Sequence, residues 1–326
     1  MSHIDEIPRS TQFSTHNSAS ILRRVGVSPL TCAPSIRPGL ETPGSSTMSV
    51  VESPPIELPG DEAPRHLATV LEATQVTPAM RRITFGGAGL GDFVSSSLPD
   101  ERVLVRFPLD PPHARSYTVR RWNAGTGELD IDFVLHGHGG AALWAETASP
   151  GDTVYLSTAN GWFHPPENIE WLMLLADHAA LPAVGRILES LPAGLSVQVI
   201  AQIPDPSEQQ SFTSAADADI RWIGDADSLL TELAADPPPP AAGYVWCAVE
   251  AAAARKVRAY LRHTLNIPAT AMHTMGYWRA DKENWERRFA LAAERIDAVM
   301  GAAMMAGKDF ESVRDAVDDA MEREGL

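Results

Sequence analysis

The chain has 326 residues, an ordinary apolar share of 44% and a formal net charge of −16. Its length suggests about two domains with cores of their own, and its charge argues against nucleic acid or an anionic membrane as a general partner, without forbidding a local basic pocket. Cys32 and Cys247 are the only cysteines, which excludes a disulfide framework and a self-contained Cys₄ iron–sulfur cluster and suits a reducing, cytoplasmic setting.

Residues 1–61 are rich in Ser, Thr and Pro and lack sustained periodicity; they are expected to be disordered. Arg23-Arg24 precedes an apolar run too short and too broken for a secretion signal, and Met48 offers an alternative start. No stretch approaches the length of a transmembrane helix. Strands are expected at Leu67–Val76, Met80–Gly86 and Arg102–Phe107, then in the run Arg115–Arg120, at Glu128–His136 and at Asp152–Ser157. Many short strands with turn signals and one short helix, Gly139–Glu146, suggest an antiparallel barrel capped at one end.

From Trp171 the pattern alternates. Strands are expected at Trp171–Ala176, Ser196–Ile203, Gly243–Val249 and Ala271–Gly276, with helices at Ala180–Ser190, Asp227–Ala234 and Ala251–Leu265. That order argues for a doubly wound parallel sheet, with ligands at the carboxyl ends of its strands. Lys282–Met300 and Phe310–Met321 carry apolar stripes at helical spacing, with a break at Gly301–Gly307. They suit packing on the second domain, a lid over a cleft, or pairing with another chain. The domains expected are thus 62–165 (barrel), 166–280 (α/β) and 281–326 (a helical extension).

Two neighbouring motifs carry chemistry. Arg115-Ser116-Tyr117-Thr118-Val119-Arg120 puts a fixed cation, an aromatic ring and a small hydroxyl on one strand. An arginine holds phosphate, a tyrosine covers a flat heterocycle and a hydroxyl reaches a ring nitrogen. Those are the needs of a flavin dinucleotide, although an ordinary strand with a charged edge reads the same way. A Gly-containing turn at Asn123–Gly127 suggests a hairpin from this strand to Glu128–His136. Gly137-His138-Gly139-Gly140-Ala141-Ala142 then leaves bare backbone N–H groups at a helix start, which favours a pyrophosphate.

The run Arg-x-Tyr-Thr-x-Arg followed by Asp-Phe-Val-Leu-His-Gly-x-Gly-Gly resembles the siderophore-interacting protein family, flavin-containing ferric-siderophore reductases of the ferredoxin-reductase-like superfamily. Ala176–Arg186 is similar to the Gly-Asp-Glu-Thr-Ala-Leu-Pro-Ala-Ile-Gly-Arg run that opens the family's second domain, and Gly276-Tyr277-Trp278-Arg279 to its Gly-Tyr-Trp-Arg signature. The resemblance covers roughly residues 62–280. It implies an FAD-binding barrel followed by an NAD(P)H-binding-like α/β domain. It also implies electrons passing from NAD(P)H, or another donor, through FAD to a ferric siderophore. A siderophore carrier without turnover and a general flavin reductase feeding a partner protein are the alternatives.

Carried onto this chain, the resemblance places Tyr117 and Thr118 at the reacting ring. Both can touch one flavin only if the strand ends or twists there, because neighbours on a strand face opposite ways. Arg115 and Ser116 are expected to bind the cofactor beside them. Asp132, Val134, Leu135 and His136 are expected at its ribityl and adenine parts, and Gly139, Gly140, Ala141 and Ala142 at its phosphates. Asp177, Ala180, Glu250 and Trp278 are expected near the nicotinamide. No metal site is expected.

The chain departs from the family pattern at His178 and Ala179, where Glu and Thr are usual, and at Val249, where glycine is. A valine there is expected to crowd a dinucleotide. Arg186 and Arg279 are candidate partners for a 2′-phosphate or ordinary surface arginines, and Arg120 is a candidate for pairing with a carboxylate.

Overall fold

The structure is a computed structural model that describes residues 66–109, 113–137, 139–224 and 228–326. The readings made for residues 1–61, and His138 within the glycine run, lie outside the described residues. The described residues up to Ala280 form one compact unit and those from Asp281 onward belong to another.

The first sheet has seven strands: β1 (His66–Thr77), β2 (Met80–Gly86), β3 (Arg102–Phe107), β4 (His113–Thr118), β5 (Arg121–Asn123), β6 (Glu128–Val134) and β7 (Thr153–Leu156). Their order is β4-β3-β7-β1-β2-β6-β5 and every pairing is antiparallel. Alternate residues such as Val103, Val105, Phe107 and Leu129, Ile131, Phe133 point inward and are buried in one core, as period-two patterning requires. The barrel closes at one corner. The N–H of Val119 bonds Glu101 O at 2.9 Å and that of Arg120 bonds Asp130 O at 2.8 Å, so the chain steps from the β3 side to the β6 side within two residues.

This corrects the expected hairpin. The Asn123–Gly127 turn joins β5 to β6, with Trp122 opposite Leu129. The strand that carries Arg115 pairs instead with β3, with Arg115 opposite Val105 and Tyr117 opposite Val103. The short β5 was hidden because three residues carry no legible alternation of their own.

Helix α1 (Gly140–Thr147) lies against the barrel core through Ala141 and Ala145. Its Trp144 stacks on Phe85 with ring centroids 6.4 Å apart. Arg81 of β2 donates to the carbonyls of Ala145 (3.1 Å), Glu146 and Ala148 (3.2 Å). The negative end of the helix is thereby satisfied by a cation.

The second sheet is parallel, in the order β10-β9-β8-β11-β12. Its strands are β8 (Trp171–Asp177), β9 (Ser196–Gln202), β10 (Asp217–Ile223), β11 (Gly243–Glu250) and β12 (Met272–Trp278), and its helices are α2 (Leu181–Ser190), α3 (Ser228–Ala235) and α4 (Ala251–Ala259). β10 was not expected: its Asp217-Ala218-Asp219 start is poor strand material and its edge position pairs it with β9 alone. Helix α4 passes into a π-helical turn at Tyr260–Thr264 rather than continuing as α-helix to Leu265.

The remaining unit is a helical hairpin, α5 (Lys282–Met305) and α6 (Phe310–Arg323). Phe289, Ala292, Ile296 and Met300 pack on Val313, Val317, Ala320 and Met321. The expected break across Gly301–Gly307 falls at its far end: the helix runs through Gly301 to Met305, because one glycine costs only about 1 kcal/mol inside a packed helix. The chain turns at Gly307, whose φ of 70° suits glycine.

Candidate functional site

The barrel brings the first group of expected residues together by closing β4 toward β6. Tyr117 and Phe133 have ring centroids 4.5 Å apart, and Phe107 packs on Tyr117 edge to face at 6.1 Å. Tyr117 is half-buried, and burial pushes its phenol well above the usual range. Arg115, on the same strand, donates to Ala114 O at 2.9 Å, and Ser116 is exposed. β4 ends at Thr118.

Thr118 is 5% exposed, and its Oγ1 has no hydrogen-bond partner among the described residues. A buried orphan hydroxyl costs free energy, so it marks a place where a partner belongs. Its neighbour is Tyr277, a residue sequence analysis did not select. The two hydroxyls interact without reaching hydrogen-bonding geometry. Burial pushes the Tyr277 phenol up to about 12. The Arg102 guanidinium lies 4.7 Å from the Tyr277 ring centroid and 4.8 Å from that of Trp162. Asp100 is fully buried beneath them, accepting from the N–H groups of Trp162 (2.8 Å), Phe163 (2.9 Å) and the Trp246 indole (3.2 Å). Tyr277 lies inside the Gly-Tyr-Trp-Arg run, so the motif was legible although this residue's role was not.

Asp132 is buried in a two-pronged ion pair with Arg82, with Nε to Oδ1 at 2.7 Å and Nη2 to Oδ2 at 2.8 Å. Both carboxylate oxygens are engaged, so the polar group this strand offers outward is Arg82, which stands opposite Asp132 on β2. Val134 packs toward the second domain's core and Leu135 toward the barrel's, while His136 is exposed.

Gly139 has a φ of 79° and caps α1 with no side-chain bond to the helix. A Cβ on Gly140 would fall 2.8 Å from Leu109 Cδ1. Ala141 and Ala142 follow, both buried. The helix therefore starts with small residues and no side-chain cap, the arrangement that admits a phosphate.

The second group gathers at the carboxyl edge of the parallel sheet, on the adjacent strands β8, β11 and β12. Asp177 accepts from the Trp278 indole at 2.6 Å and from Ala179 N–H at 3.0 Å. Glu250 stands opposite Trp278 in register. It caps α4 through Ala252 N–H (2.6 Å) and holds Ala280 N–H at 3.3 Å. Ala180 is wholly buried in the core, so any contact it makes outward is through its backbone.

The expectations for Val249 and Arg186 are corrected here. Val249 is 1% exposed and packs with Val245, Cys247 and Val257 beneath the sheet, so it does not crowd the carboxyl edge. Arg186 lies 2.8 Å from buried Glu101 and donates to Val119 O at 2.6 Å, so its guanidinium is spent inside the protein. His178 is buried with Nε2 2.9 Å from Glu208, which also accepts from the Thr77 hydroxyl and from Ala79 N–H at 2.8 Å. Arg120 pairs with Glu189 at 2.9 Å.

A profile of the siderophore-interacting FAD-binding domain matches residues 106–162, and one of the siderophore-interacting protein matches residues 169–281. The crystal structure of a siderophore utilization protein from T. fusca is 30% identical, with a TM-score of 0.61 over 66% of this chain and 92% of that one. The chain belongs to the siderophore-interacting protein family. The family's SipS from Aeromonas hydrophila is 25% identical, with a TM-score of 0.60 over 70% of this chain and 97% of its own. The ferric vibriobactin reductase ViuB of Vibrio cholerae is 28% identical over 186 residues, 55% of this chain and 69% of ViuB. Membership brings an FAD-binding domain with it. The residues present fit that group, on the strength of the orphan Thr118 hydroxyl and the uncapped glycine start of α1. Among the described residues no helix is long and apolar enough to cross a membrane.

Proposed function

We propose that this family member is an FAD-dependent ferric-siderophore reductase that takes electrons from NAD(P)H. In this reading residues 62–165 hold FAD and residues 166–280 receive the donor. The observation that carries it is the buried Thr118 hydroxyl, which makes no hydrogen bond of proper geometry among the described residues, at the end of the strand that also bears Arg115 and Tyr117. Bound FAD would supply the redox chemistry, accepting an electron pair and passing electrons on singly.

The chain's own residues supply position and electrostatics. Tyr117 offers a ring, Thr118 a hydroxyl, Arg115 a fixed cation, and Gly139–Ala142 backbone donors for phosphate. Asp177, Glu250 and Trp278 shape the donor's entry at the carboxyl ends of the strands, where ligands of such sheets bind. The ferric siderophore is substrate, and reduction frees its metal because hard oxygen chelators hold Fe(II) far more weakly than Fe(III). The low cysteine count supports a reducing, cytoplasmic setting for the reaction in this reading.

The test is an anaerobic titration of purified protein. A bound-flavin absorption band that bleaches with NADH or NADPH and returns on adding a ferric chelate supports the reductase. Folded protein that stays colourless with added FAD overturns it. A second reading, electrons from another donor, is favoured by one feature: the Asp177 and His178 side chains, at the donor edge, are both spent on protein contacts. Flavin that resists both nucleotides but is reduced chemically and then by the chelate reoxidised would select that reading.

A further inference from the structure

Trp278 is the last residue of β12 and is 48% exposed. An exposed tryptophan ordinarily samples several rotamers, but this one is tied on two sides. Its indole N–H donates to Asp177 on β8 at 2.6 Å, and the chain just beyond it is held by Glu250 on β11 through Ala280 N–H at 3.3 Å. A large flat side chain fixed in this way is a pre-organised surface for a planar ring.

The tie is made by a carboxylate that is 7% exposed. The groups facing Asp177 are the Cys247 thiol, the Tyr277 phenol and backbone N–H groups of Ala179, Ala180 and Glu250. His178, next in the chain, is held neutral at neutral pH by burial, against the pull of Glu208. None of these is a cation at neutral pH, so hydrogen bonds alone compensate the buried charge. Burial pushes the Asp177 carboxyl up to about 6, and protonation would weaken the charge-assisted bond to the indole.

We propose that Asp177 is a positioning residue: through the indole N–H it holds the Trp278 ring as the flat wall for the donor's nicotinamide, and loss of that bond releases the wall. The identity of the ring rests on the reading of this edge as the donor's entry; the Asp177–Trp278 tie does not.

The test is acrylamide quenching of tryptophan fluorescence on the purified protein between pH 4.5 and 8. The Trp278 contribution is taken as wild type minus Trp278→Phe. Its quenching should rise as pH falls, with a midpoint near 6, and Asp177→Asn should remove the transition. No Trp278-specific transition in that range, or an unchanged one in D177N, overturns the tie. The wild-type difference alone reads the tie if D177N does not fold. Trp278→Phe should also raise the KM for the nucleotide severalfold while changing kcat less. A transition with unchanged KM keeps the tie and overturns the assignment of the wall to the donor.

Discussion

Arg186 of α2 and Glu101 at the start of β3 meet across the seam between the barrel and the parallel sheet, 2.8 Å apart, and the same guanidinium holds the Val119 carbonyl at 2.6 Å. Glu101 is fully buried and its remaining capacity is taken by the Ser95 hydroxyl (2.7 Å) and by Ser96, through its N–H (2.6 Å) and hydroxyl (2.7 Å). Val119 follows Thr118 directly, so this pair fixes the end of β4 where the proposed flavin contact lies. The arginine that looked available for a phosphate is instead a structural tie.

Removing one partner of a buried pair strands the other. Arg186→Ala should cost about 3–5 kcal/mol, read as a lower urea midpoint with an unchanged slope. Adding Glu101→Gln to it should recover part of the loss. A loss below about 1 kcal/mol in the single variant would show that the pair is solvated.

Thr118→Val removes a hydroxyl that makes no hydrogen bond of proper geometry among the described residues. Its effect on stability should be under about 1 kcal/mol. Retention of FAD through gel filtration, read as the ratio of visible to ultraviolet absorbance, should fall, and Thr118→Ser should restore it. Equal retention in all three proteins would remove Thr118 from the cofactor site.

Asp132→Ala leaves Arg82, which is 31% exposed, without its two-pronged acceptor. Hydrogen bonds to charged groups contribute about 1.5–3 kcal/mol, and water at the half-open Arg82 places the expected loss at the lower end. Thermal unfolding checks it. The Arg82→Met, Asp132→Leu double variant should be less destabilised than Asp132→Ala alone.

Asp177 makes a pH-dependent contribution whose sign is unusual for a carboxylate. Its folded value of about 6 lies above the ordinary 3.8. The native state therefore binds the proton more tightly, and stability falls as pH rises from about 4 to about 6. Asp177→Asn escapes that loss and should be more stable than wild type at pH 8 by on the order of 2–3 kcal/mol. His178 works in the opposite direction: burial lowers its value from 6.5, so its contribution is lost as pH falls below 6.5. Comparing urea midpoints of wild type and D177N across pH 4–8 cancels the His178 term. A difference that does not change with pH would contradict the assignment.

Much of the order of elements was legible locally. The alternating inward residues of β3 and β6, the continuous apolar run of β8 and the apolar spacing of α2 each report burial within a few residues, because period and face are properties of the local chain. The same holds for the glycine start of α1, where a positive φ and a close approach demand the residue type. Two strands escaped: β5, too short to show a period, and β10, an edge strand with half its pattern in solvent.

The site divides along the same line. Placement, such as Arg115, Tyr117 and Thr118 on one strand and Asp177 at a strand's carboxyl end, could be read from order alone. Partnership could not. That Thr118 meets Tyr277, 159 positions away, that Asp132 is consumed by Arg82, that Arg186 turns inward to Glu101 and that Val249 faces the core rather than the cleft were decided only when strands took neighbours and faces. A charge or hydroxyl has the same intrinsic chemistry anywhere in a chain, but whether it is free to act depends on what the folded chain places within about 3 Å of it.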